Sequence, residues 1–381
     1  MDLRTELDRL EALLVEDDPR PAQHLISDLF ATLREAAPSV REAALEEIAG
    51  RVGHEDPHVG AWLALIGGGL LEAGAPAKTL ALAVREPLER ALGEAAFFLG
   101  LARRFAELAA LTPEAAPDPD AIQLGDFAIP TSAIDSIARS HWLAVRSFFS
   151  LATWYRPVVA AWSRDVGTLR TAKADAELRA KVAALGGASE GTHWLGLLLS
   201  TLFDAPMVVL FPESRVGYRL IVNGVVDVGQ LSVLLSAPLA EAFARVEASG
   251  PASEAMLAVM RGEGAQKVEA TYTASFHFYP WQALNPASMM PEDHRFEWSA
   301  PGGVGDHSLP PDFLPDALVP LRGARVVLAV GPNAKTGVHF SRVIPGTRTF
   351  ESLRADVKNV ERLSESDAAK WLDAVRLAVS S

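Results

Sequence analysis

Apolar residues recur every three or four positions through the first 111 residues. Leu3, Leu7, Leu10, Leu13 and Leu14 form one stripe, and Leu25, Leu29 and Leu33 another; this spacing predicts amphipathic helices. Pro19 and Pro21 punctuate them. Pro38-Ser39 opens a third helix, with Ser39 as N-cap and Glu42 completing a capping box. Asp56 as N-cap and Pro57 at the first helical position open a fourth, ended by Gly74 and Pro76. A fifth helix, or a pair, runs to about Leu111. Gly67-Gly68-Gly69 lies inside the fourth helix, where each Gly costs about 0.5–1 kcal/mol against Ala. Close approach of neighbouring helices is the reading that accounts for it.

Residues 112–130 carry Pro113, Pro117, Pro119 and Pro130 without periodicity, which predicts a linker or crossing segment. Helices resume at Ser132–Arg164, with Pro157 placed to kink the first of them, then at Lys173–Leu185 and at His193–Phe203 behind Thr192 as N-cap. From about residue 205 the texture becomes strand-like. Met207–Phe211 is a short apolar run. Asn223-Gly224 between β-branched runs predicts a type I′ hairpin. A helix from Gln230 is interrupted near Pro238. Val268–Tyr279 alternates apolar and polar residues as one long strand. Residues 280–322 form a long loop region, Arg325–Val330 a buried strand, and Glu365–Val379 a closing helix capped by Ser364. The expected class is α+β. A helical domain over 1–111, built of helical hairpins, precedes the 112–130 segment. An α+β domain over 131–381 follows, helical over 131–204 and sheet-containing over 205–381.

The segment from Asp56 to Gly74, DPHVGAWLALIGGGLLEAG, resembles one unit of a HEAT-like repeat. No second copy occurs at a fixed period. The hairpin GYRLIVNGVVDVGQL, the segment FHFYPWQALNP and the strand RVVLAVGP together resemble a family of uncharacterised bacterial proteins over residues 193–381. That resemblance implies a bacterial origin and assigns no site residues.

Composition narrows the chemistry. The chain of 381 residues has no Cys, which excludes disulfides, thiolate metal sites and a Cys nucleophile. With 49% hydrophobic and 22% charged residues it is a core-forming chain, not a disordered one. The net charge of −13 disfavours nucleic-acid binding. Residues 1–60 hold 14 acidic and 6 basic side chains, a net of −8; this end suits a basic partner, with Glu46 and Glu47 as its candidate contacts. No apolar stretch reaches the roughly 20 residues of a membrane span, and the charged start lacks a signal core, so a cytoplasmic protein is expected.

Three catalytic strings occur, each in the wrong setting. His54-Glu55-Asp56-Pro57-His58 matches H-E-x-x-H, but Pro57 belongs at a helix start, so the two His do not share a helical face. Gly187-Ala188-Ser189-Glu190-Gly191 matches the nucleophile elbow, but a helix, not a strand, precedes it. Gly331–Gly337 contains Lys335-Thr336 without the glycines of a phosphate loop. The remaining candidates are diffuse. His277, His294, Asp306 and His307, with Glu292, Asp293 and His339 nearby in sequence, are ligand types for Zn(II) or non-haem Fe(II), though their spacing matches no signature and no cofactor is named by any motif. Tyr279, Trp281 and Trp298 are candidate binding aromatics. Two functions follow. One is a non-catalytic or accessory protein that binds a basic partner, such as a toxin in an immunity pair or another subunit. The other is an enzyme with a His/carboxylate site in the C-terminal domain.

Overall fold

The computed structural model describes residues 2–16, 19–110, 120–212, 214–226, 228–245, 252–263, 267–272, 276–278, 316, 320–329, 336–341 and 353–380. The class is α+β, as the patterning implies: a helical N-terminal half and a mixed C-terminal region. No helix among the described residues is long and apolar enough to cross a membrane. The chain divides into two compact units, one of Met1–Leu199 and one beginning at Ser200.

The first unit opens with α1 (Leu3–Val15), α2 (Pro19–Glu35), α3 (Pro38–Arg51), α4 (Pro57–Glu72), α5 (Lys78–Ala83) and α6 (Arg85–Ala110). A two-stranded hairpin, β1 (Ile122–Leu124) and β2 (Phe127–Ile129), follows. Then come α7 (Thr131–Arg164), α8 (Val166–Ala174), α9 (Ala176–Ala184) and α10 (Glu190–Leu199). Part of the expected 112–130 linker is therefore a β-hairpin, turned at Gly125 with φ +65°. The α7 helix packs along α4 and α6. Helices of 131–199 thus join those of 2–110 in one unit, whereas the expected partition fell at 112–130. Most of α4 is buried, and burial in α7 is concentrated in its C-terminal half. In α4, Val59, Leu63, Ile66 and Leu70 are fully enclosed, and so are Trp154 and Trp162 of α7. Each indole N–H has a partner: Trp154 donates to the Pro57 carbonyl at 3.1 Å, and Trp162 to the Ala81 carbonyl at 3.0 Å. A buried indole requires such a partner.

The triple glycine of α4 is a three-way close approach. A Cβ on Gly67 would lie 3.1 Å from the Leu80 side chain and one on Gly68 3.1 Å from Pro157 Cα, while one on Gly69 would run into the Phe30 ring. Helices α5, α7 and α2 each use one missing side chain to come close.

Several local expectations change. Pro38, not Ser39, starts α3: Ala37 is the N-cap and makes no side-chain bond, because the fixed φ of proline suits the first helical position. The non-helical residue inside α7 is His141, at φ −139°. The expected helix 173–185 breaks at Asp175, whose carboxylate accepts from the amides of Glu177 and Leu178 and caps α9. Thr192 lies within α10 rather than at its cap, and its hydroxyl donates to the carbonyls of Leu185 and Ser189.

In the second unit, β3 (Ala205–Phe211) and β4 (Val216–Asn223) precede α11 (Val228–Ser236), α12 (Ala240–Arg245) and α13 (Glu254–Arg261). Then come β5 (Lys267–Tyr272), β6 (Phe276–Phe278), β7 (Arg325–Ala329), β8 (Thr336–Ser341), β9 (Asp356–Arg362) and α14 (Glu365–Ser380). The five-stranded sheet runs β6-β7-β3-β4-β9, and β5 pairs with β8 separately. Only the β3–β7 pairing in the main sheet is parallel, with Met207 opposite Arg325. Residues of β3 serve two cores. Met207, Val209 and Phe211 pack with α11, α12 and α13, while Val208 and Leu210 pack with Trp371, Leu372 and Val375 of α14. Burial on both faces is why this strand is apolar throughout rather than alternating. Ser364 caps α14 as expected, accepting from the Asp367 amide at 3.1 Å.

Two strand expectations are corrected. Val268–Tyr279 is not one strand: β5 and β6 belong to different sheets and have different partners. Asn223-Gly224 does not close a hairpin onto Val225–Val228. Of the two, Gly224 alone has positive φ, at +68°, and a type I′ turn needs both. The β4 strand pairs instead with β3 and β9, which leaves no edge for the segment beyond the turn.

Candidate functional site

His277 is the middle residue of β6, an edge strand, where its backbone pairs with Leu328 of β7. Tyr279, Trp281, His294, Trp298, Asp306 and His307 lie outside the described residues. Among the described residues no group of three His, Cys, Asp or Glu side chains is arranged to hold a metal ion.

The His54–His58 string is a helix start. Asp56 caps α4 through Oδ1, which accepts from the His58 amide at 2.8 Å. The Asp56 amide meets His54 Nδ1 at 3.0 Å. Arg146 of α7 brings its Nε to 2.9 and 2.7 Å from the two Asp56 carboxylate oxygens, and its Nη2 donates to the Leu14 carbonyl at 3.0 Å. His58 Nε2 accepts from Trp62 Nε1–H at 3.1 Å; its proton therefore resides on Nδ1. Burial, with the positive Arg146 nearby and against the pull of Asp56, holds the His58 imidazole below its ordinary titration range. Arg146 joins α7 to the start of α4 and the end of α1, while His54, His58 and Trp62 bond locally at the start of α4. The arrangement is that of a scaffold joint rather than of a zinc protease. Ser189 of the elbow-like string likewise lies between two helices, α9 and α10.

The nominated acidic residues lie on α3, and the structure separates them. Glu47 is half-buried and paired with Arg51, its Oε1 2.9 Å from Nη2. The same guanidinium holds Asp8 at 2.6 Å and Glu11 at 3.2 Å, both on α1. One cation thus gathers three carboxylates at the α1–α3 seam. Glu46 is exposed and outside this cluster, one helical turn from Glu42, also exposed. No cation among the described residues lies within ion-pair distance of either. The neighbours along this outward stripe are Ser39, Ala43 and Gly50, all exposed and small. The two carboxylates therefore stand exposed among small exposed neighbours on α3. Glu42, first read as a capping residue, is the member of this pair that sequence reasoning missed. Its i, i+4 spacing to Glu46 was the available signal.

Fold and site together define an α+β chain whose helical unit exposes Glu42 and Glu46 with no ion-pair partner among the described residues. No protein-family model, curated protein or solved structure matches this chain.

Proposed function

We propose that this chain is a non-catalytic binding protein that recognises a basic partner protein through the outward face of α3. The carrying observation is the exposed Glu42–Glu46 pair. Like charges one turn apart destabilise a helix by about 0.2–0.5 kcal/mol, and no Lys or Arg among the described residues pairs with them. The neighbouring Asp8, Glu11 and Glu47 do have a cation, Arg51. A local cost without a local return is what a recognition surface carries. The surplus of acid over base in residues 1–60 adds long-range steering of a positive partner. The same charge works against nucleic-acid binding. A basic toxin held in an immunity pair, or a basic subunit, fits this description.

The test is affinity purification from native lysate at low and moderate salt. It compares the wild type with a Glu42→Arg/Glu46→Arg double variant whose helical circular dichroism is unchanged. A basic protein captured by the wild type, weakened by salt and reduced at least about tenfold by the double reversal, supports the reading. Equal capture by both, or loss on His277→Ala instead, overturns it.

A further inference from the structure

Helices α2, α4 and α7 enclose a half-open cleft of about 690 Å³. Its volume lies within the range of small-molecule sites, roughly 300–1,000 Å³. The floor is lined by Leu65, Gly68 and Gly69 of α4, with Pro157 of α7 against Gly68 and Phe30 of α2 against Gly69. Gly68 and Gly69 let Pro157 and Phe30 come close to the α4 backbone, and the cleft opens beside these contacts.

Four charged residues stand around this floor: Arg34, Glu35, Glu72 and Arg156. Arg34 is offset by Glu35 at 3.7 Å, and Glu72 already has a partner. Arg156 differs. Its Nε donates to the Tyr155 hydroxyl at 3.2 Å, and its guanidinium lies 5.6 Å from the centre of the Tyr155 ring. Tyr155 is buried while Arg156 is exposed, and the contact positions the guanidinium without neutralising it. No carboxylate among the described residues pairs with Arg156. Its two terminal nitrogens form a pre-oriented fork, the geometry that receives a carboxylate through two parallel hydrogen bonds.

We propose that this cleft binds a small amphipathic monocarboxylate, with its apolar body on the Leu65–Gly68–Gly69–Pro157 floor and its carboxylate on Arg156. The site is separate from the α3 face, and the two readings stand or fall independently.

The experiment is ligand-observed NMR and calorimetry on the full chain with 3-phenylpropionate, 3-phenylpropylamine and 3-phenylpropanol as probes. The acid is expected to bind saturably and at least about tenfold more tightly than the amine. Arg156→Gln is expected to abolish the preference of acid over alcohol. Ala31→Phe, at an exposed position lining the cleft, is expected to block all three probes without loss of helix content. The proposal is overturned if the acid shows no saturable binding, if the amine binds equally well, or if the acid binds Arg156→Gln as it binds the wild type.

Discussion

Replacing Asp56 separates two contributions that one carboxylate makes at the start of α4. Oδ1 accepts from the His58 amide, and both oxygens contact Arg146 Nε. Asp56 has a side chain 9% exposed, and Arg146 one 34% exposed. Loss of an N-cap costs about 1 kcal/mol. Breaking a fully buried ion pair costs about 3–5 kcal/mol, and the one-third exposure of Arg146 brings the expectation down to about 2 kcal/mol. Asp56→Ala loses both and is expected to destabilise the helical unit by about 3 kcal/mol. Asp56→Asn keeps an amide oxygen for the cap and loses only the charge, for about 2 kcal/mol. Urea unfolding followed at 222 nm measures both, with Arg146→Met in a double-mutant cycle. A coupling energy near zero between Asp56→Asn and Arg146→Met refutes the ion-pair argument. Equal losses for Asp56→Ala and Asp56→Asn refute the cap argument.

Two further outcomes follow from the same geometry. The folded-state titration of His58 is depressed, so the unfolded chain binds the proton more readily. Stability is then full above the ordinary His value of about 6.5 and falls as pH drops below it towards the folded value. A pH series of urea midpoints is expected to show this loss, and His58→Gln to flatten it. A stability that rises on acidification through this window refutes the assignment. Gly224→Ala places a Cβ at φ +68° and against the Arg354 carbonyl. A loss of about 2 kcal/mol or more in thermal unfolding is expected, and a neutral result refutes the close approach.

What the chain reveals in advance depends on how local the cause is. Asp56-Pro57 and Ser364 read correctly as helix starts because cap and amide lie within three residues. Ser39 was misassigned because Pro38 sets its own φ without help from any side chain. The strongest turn signal, Asn223-Gly224, was misread for a non-local reason: β4 is already paired on both edges, by β3 and by β9. The glycines at 67–69 announce a close approach, but not that three different helices make it. At the acidic face, composition points to Glu46 and Glu47 together. The i, i+4 spacing of Glu47 and Arg51 already marks that pair; the position of α1 beside α3 adds Asp8 and Glu11 to the same cation and leaves Glu46 outside.

The parallel pairing of β3 with β7 has a kinetic consequence. Met207 meets Arg325, so more than a hundred residues separate the partners at the centre of the sheet. The β3–β4 ribbon forms from neighbours a few residues apart, while its other edge waits for a strand made much later in synthesis. Closing so long a loop is entropically costly only in proportion to the logarithm of its length, but pairings of this range are slow. During that interval an apolar strand destined for burial on both faces has an open edge, the state most prone to aggregate. Truncation anywhere between Phe278 and Arg325 makes that interval permanent. Chains ending there are expected to be captured by chaperones or to precipitate, even though all of Met1–Leu199 is present.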